Sequence, residues 1–202
     1  MFWRNRTALT AGRYLLLLFL LTTPAWAPLT RPGLPASQAG PAAVLQLYAL
    51  ERGADPALLP LPDGWRMAGP WPLWLARGLH AVGWDAVTAV KIVLGLALLA
   101  TGLGLLLWAG RQNGWQAGIL AAMLVLYAPA WLGTLYAAGQ GPVLWVSAGL
   151  VLIGAGTVCE QRRWGSLLTA FGAWLAVGSL PLLGVVALVG MLLWMLWQRR
   201  WS

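Results

Sequence analysis

Thirty-four consecutive residues, Trp164 to Trp197, carry no charged side chain. Drawn as one helix, that run is roughly 50 Å long, against a hydrocarbon core of ~30 Å. A water-exposed helix needs a polar face, and this run has none to offer. The sequence "GSLP", Gly178 to Pro181, is a natural break. The expectation is a tight hairpin of two short apolar helices, 164–177 and 180–197, one of them tilted or only partly inserted.

The rest of the chain repeats the pattern. Only 9% of the 202 residues are charged and 60% are hydrophobic, whereas a soluble domain carries roughly 25% charged residues. The 15 Trp and 25 Gly fit a lipid setting: Trp favours the membrane–water interface, and Gly lets helices approach closely. "YLLLLFLLTTPAWAPL" gives a first span, 14–29. "AVTAVKIVLGLALLATGLGLLLWA" gives a second, 86–109. "WQAGILAAMLVLYAPAWLGTLY" gives a third, 115–136, with Pro129 predicting a break or kink in its latter half. "PVLWVSAGLVLIGAGTVC" gives a fourth, 142–159. The first span follows Arg4, Arg6 and Arg13 and ends in Ala25-Trp26-Ala27, so it reads as a retained anchor or as a cleaved signal peptide. Pro28 after the scissile bond favours the anchor.

Charge placement fixes an orientation. With the N-terminus inside, the cytoplasmic segments hold Arg4, Arg6, Arg13, Arg111, Arg162, Arg163, Arg199 and Arg200 against the single acid Glu160. The long connection 28–85 holds Arg31, Arg52, Arg66 and Arg77 against Glu51, Asp55, Asp63 and Asp85, and is neutral. This is the positive-inside pattern. It predicts an all-α polytopic membrane protein of about six spans in a bacterial inner membrane, as a single membrane domain, with both termini cytoplasmic and 28–85 outside. The basic residues punctuate apolar segments and form no soluble basic face, so the net charge of +8 does not point to nucleic acid.

Within the outer loop, "AAVLQLYALERG", 42–53, predicts a short helix stopped by Gly53. "PWPLWLARGLHAVGW", 70–84, predicts a helix lying along the membrane surface. The candidate acids lie at the end of the first helix and between the two. Glu51, Asp55 and Asp63 are three of only five acidic residues, placed where a general base or metal-holding carboxylate would meet a lipid-linked substrate. They read first as solvated charges balanced by Arg52 and Arg66, and only then as a catalytic set. Lys91, a few residues into the second span, either snorkels to the outer headgroups or contacts a lipid phosphate. His80, the only histidine, reads as an interfacial side chain before it reads as an axial ligand for haem or pigment. With one His and one Cys, Cys159, the chain offers no Cys/His zinc set and no intrachain disulfide. No cofactor or metal is expected.

The order of elements, with the stretch "PLWLARGLHAVGWDAVTAVK" and the span end "LYAPAWLGTLY", resembles the N-terminal half of bacterial GT-C superfold glycosyltransferases. The residues that carry the likeness are Pro72, Leu73, Leu79, Gly83, Ala89, Lys91, Tyr127-Ala128-Pro129 and Tyr136. The chain departs from that family in three ways. "PASQAGPAAV", 35–44, holds no carboxylate where those enzymes carry one. "YAAGQGPVLW", 136–145, lacks their Arg and acid. The span count is about half of theirs. The resemblance therefore implies a shortened GT-C-like module acting as a non-catalytic accessory or scaffold subunit, packed against lipid and a larger membrane partner. Two alternatives stand beside it. One is a glycosyltransferase, or a subunit of one, using a polyprenyl-phosphate-linked sugar. The other is an accessory subunit of an electron-transfer or photosynthetic assembly.

Overall fold

The computed structural model describes residues 2–33, 40–55, 71–138, 141–159 and 161–201, and among them every regular element is helical. Helix α1 (Phe2–Trp26) runs into a 3₁₀ turn, Ala27–Thr30. Two short helices follow, α2 (Gly40–Glu51) and α3 (Trp71–Ala81). Then come α4 (Ala86–Asn113), α5 (Trp115–Leu126) and α6 (Pro129–Leu132), the last widening into a π-helical turn at Gly133–Ala138. Helices α7 (Gly141–Thr157), α8 (Arg162–Ser179) and α9 (Pro181–Trp201) complete the chain.

Local chemistry sets these boundaries. Gly53 ends α2 at φ 72° and Gly83 ends α3 at φ 107°, a left-handed backbone that costs glycine least. Each closes a double cap. In the first, Gly53 N–H donates to Leu50 O and Ala54 N–H to Ala49 O; in the second, Gly83 N–H donates to His80 O and Trp84 N–H to Leu79 O. Two residues on, Asp85 accepts from Thr88 N at 2.9 Å and opens α4. Pro129 and Pro181 open α6 and α9, where the missing N–H is harmless. The uncharged run accordingly divides at Leu180.

Helix α4 is central, packed on α5, α7, α3 and α1, while α8 packs on α7 and α9 on α8. The main core joins Leu94, Ala97 and Leu98 of α4 to Leu144, Ala148 and Leu152 of α7, with Leu126 beside them. Glycines bring the backbones together. A Cβ on Gly149 would lie 2.4 Å from Gly172 O, and one on Gly156 would lie 2.7 Å from Gly165 O, so α7 and α8 touch main chain to main chain. A Cβ on Gly118 would meet Leu106 O at 2.7 Å, the same device between α5 and α4.

By length and composition α4 suffices to cross a bilayer, with a mean hydropathy of 2.3 over its most apolar stretch. The segment Trp115–Leu126 with Pro129–Tyr136, bent by 51°, is a second candidate if it forms one span. Gly141–Thr157 and Pro181–Leu193 are shorter apolar helices.

The end of α1 is tied down by hydroxyl groups. Pro24 lies inside the helix and removes one backbone donor. Thr22 and Thr23 both return their hydroxyls to Phe19 O, at 3.0 and 3.1 Å. Tyr127 reaches across to donate to Leu21 O at 2.6 Å, and Tyr136 donates to Ala25 O. The two tyrosines that carried the family likeness thus hold the last turns of α1.

Candidate functional site

Where α1 gives way to its 3₁₀ turn and α4 begins, the chain forms an open cavity of about 720 Å³. One end is polar, with Thr30, Arg31, Asp85, Thr88 and Lys91; the walls below are apolar, with Phe19, Leu29, Ile92, Leu96 and Leu99. Trp84 and Trp26 also line the cavity, the Trp26 ring 5.9 Å from that of Phe19. The site exists because the double cap at Gly83 turns the chain sharply. That turn places Trp84, Asp85 and the first turns of α4 against the segment that leaves α1.

Lys91 is 8% exposed, the one charged residue among the buried side chains described. Its ammonium donates to the backbone carbonyl of Arg31. That main-chain oxygen, 60 residues upstream, ties the start of α4 to the segment that follows α1. An ammonium has three donors, so this bond leaves others to face the cavity.

Asp85 supplies the carboxylate at the polar end. Hydrogen bonds to Thr88, from its side chain and then from its backbone N–H, hold this carboxyl below its ordinary 3.8. Neither Lys91 nor Arg31 forms an ion pair with it among the described residues. Sequence reading counted Asp85 only as a loop charge. The available signal was its place three residues before Thr88 at the start of an apolar run, a helix-capping pattern.

Of the three acids singled out from the sequence, Glu51 and Asp55 do not line this cavity. Glu51 Oε1 lies 3.4 Å from His80 Nε2 and joins the end of α2 to α3. Asp55 is exposed beyond α2 and does not line the cavity. Asp63 and Arg66 lie outside the described residues. Among the described residues Glu51 therefore faces His80, across two helices, and forms no ion pair with the adjacent Arg52. His80 Nδ1 sits 2.5 Å from Trp84 O. A carbonyl only accepts, so Nδ1 carries hydrogen, and Tyr48 closes the third side with its ring edge-on at 6.3 Å. Nδ1 is thus taken up by Trp84 O, and Nε2 faces Glu51.

Helix α3, expected as a surface-lying helix, is fastened to the bundle. Pro72, Leu73 and Ala76 are buried, and Trp71 meets Trp174 of α8 with ring centroids 4.2 Å apart. Among the described residues no three metal-ligating side chains cluster.

No protein-family model, curated protein or solved structure matches the chain. Fold and cavity together define its class as an all-α bundle, among the described residues, with an amphipathic cavity lined by a buried lysine.

Proposed function

We propose that the chain is an integral membrane protein of six spans, with 28–85 on the outer side of a bacterial inner membrane, acting without catalysis as an accessory or scaffold subunit. The observation that carries this reading is the outward face of the bundle. Leu16, Leu124, Leu167, Val186 and Leu193 are each about three-fifths exposed or more, and between Trp164 and Trp197 no charge interrupts that face. Each such side chain gains roughly 1.5–3 kcal/mol on leaving water. A band of this kind around α1, α5, α8 and α9 suits lipid or a lipid-embedded partner. The short spans are accommodated by tilt and by the bend after Tyr127.

The non-catalytic reading draws on how the acids are used. Glu51 is engaged with His80, and Asp85 is engaged as a helix cap. A shortened GT-C-like module that binds lipid and a larger membrane protein is consistent with both. One observation favours the second reading, transfer from a polyprenyl-phosphate-linked sugar. It is the amphipathic cavity itself, whose lining includes both the buried Lys91 and the carboxylate of Asp85.

Alkaline carbonate washing followed by purification in mild detergent tests the proposal. The chain is expected to stay in the membrane pellet and to bring down a stoichiometric membrane partner. Release by carbonate contradicts membrane integration, and a monodisperse monomer with transferase activity contradicts the accessory role.

A further inference from the structure

We infer that the cavity between α1 and α4 seats one phospholipid whose headgroup joins a phosphate to a primary ammonium, the phosphate at Lys91 and Arg31 and the ammonium at Asp85. The inference rests on the membrane reading above and adds the chemistry of the ligand.

Shape comes first. The volume of about 720 Å³ falls within the range of small-molecule sites, but the lining is divided. Leu99 lies eight residues below Lys91, about 12 Å along the helix. Phe19 and Leu96 on that wall are 47% and 39% exposed, so the apolar part opens sideways. Under the membrane reading that opening faces hydrocarbon, which suits an acyl chain entering laterally while its headgroup stays at the polar end. Gly95 on the same wall leaves room for it, since a Cβ there would meet only Leu29 Cδ1 at 3.9 Å.

Charge narrows the headgroup. Lys91 is buried and, among the described residues, has one carbonyl partner; a buried ammonium gains from an anion that takes up its remaining donors. Arg31 at the rim adds a second positive charge. Asp85 stays ionised across the neutral range, because Thr88 holds its carboxyl low. A purely anionic headgroup would meet Lys91 well and Asp85 badly. A zwitterion satisfies both. Asp85 precedes Lys91 by six residues, about 9 Å along the axis. The Lys91 stem shortens that gap, because helical side chains lean toward the N-terminus. Trp84, the residue before Asp85, also lines the cavity, and an indole face attracts a cation.

Lipid titration of the full chain in detergent, read by native mass spectrometry, tests the assignment. The probes are phosphatidylethanolamine, phosphatidylglycerol of the same acyl chains, and free phosphoethanolamine. The expected result is one phosphatidylethanolamine per chain, with phosphatidylglycerol bound about tenfold more weakly, the scale of one charge-assisted hydrogen bond. Free phosphoethanolamine, lacking the chain that fills the apolar wall, is expected not to bind.

Asp85→Asn keeps a helix-capping side chain and removes the charge, so it should abolish the preference while phosphatidylglycerol still binds. Lys91→Gln should weaken both lipids, and Gly95→Leu should block both by filling the groove. Equal binding of the two lipids by the wild type, an unchanged preference in Asp85→Asn, or binding of free phosphoethanolamine as tight as that of the lipid overturns the inference. A carbonate-resistant chain with no lipid preference removes this inference alone, whereas a carbonate-extractable chain removes the membrane reading beneath it.

Discussion

Replacing Gly149 by alanine puts the packing of α7 on α8 to a quantitative test. In an exposed helix the substitution stabilises by about 1 kcal/mol, because glycine is the poorer helix former. Here the added Cβ would lie 2.4 Å from Gly172 O, 2.9 Å from Ala176 N and 3.0 Å from Ala176 Cβ. Two of those three atoms are main chain, so no rotamer change relieves the clash. Ordinary contact begins at 3.4 Å, and α8 must therefore retreat by about 1 Å, enough to forfeit a quarter to a half of the dispersion attraction across the contact. Overpacking of this kind costs about 1–3 kcal/mol. With backbone on the opposing side the upper end applies, leaving a net loss of about 2 kcal/mol after the propensity gain. Gly190→Ala in α9 is the matched control, since a Cβ there meets nothing within 4 Å. It should be neutral or stabilising by up to about 1 kcal/mol. Denaturant unfolding of detergent-solubilised protein, followed by helical circular dichroism, should show opposite signs for the two variants. If Gly149→Ala proves as stable as Gly190→Ala, the account of α7 and α8 in main-chain contact is wrong.

Other outcomes follow from the ties around the cavity. Asp85 has a depressed carboxyl pKa in the fold, so its contribution should be complete above the unfolded value of 3.8 and be lost as pH falls through the lower folded value. Asp85→Asn should flatten that acid limb of a stability-versus-pH curve. Tyr127→Phe deletes the donor to Leu21 O and should cost about 1 kcal/mol, read by unfolding and by faster amide exchange in the last turns of α1. Tyr136→Phe should act on the same turns through Ala25 O. Glu51→Gln breaks a partly exposed pair and should cost no more than about 1 kcal/mol, with lipid binding unchanged.

What the sequence made legible was local. Composition and the missing charges pointed to an all-helical chain, Gly53 and Pro129 marked a stop and a bend, and "GSLP" marked the division of the last apolar run. Each of these depends on neighbours a few residues away. The cavity was not legible, because it depends on where α1 ends relative to α4, which Tyr127 and Tyr136 set from more than 100 residues away. Lys91 was visible as a charge in an apolar run, but its carbonyl partner lies 60 residues upstream. Glu51 attracted attention because acids are scarce, and scarcity carries no geometry. Asp85 was overlooked because a capping aspartate looks like any loop charge until the helix after it is seen.

The central claim is that 28–85 lies on one side of a membrane and the α7–α8 connection on the other. Labelling with a membrane-impermeant maleimide tests it directly, using single-cysteine variants made in a Cys159→Ser background. Ala54→Cys and Gln161→Cys both replace exposed residues. In sealed right-side-out vesicles the account predicts that Ala54→Cys reacts at once and that Gln161→Cys reacts only after permeabilisation. Immediate reaction of both, or protection of Ala54→Cys with Gln161→Cys open, contradicts it.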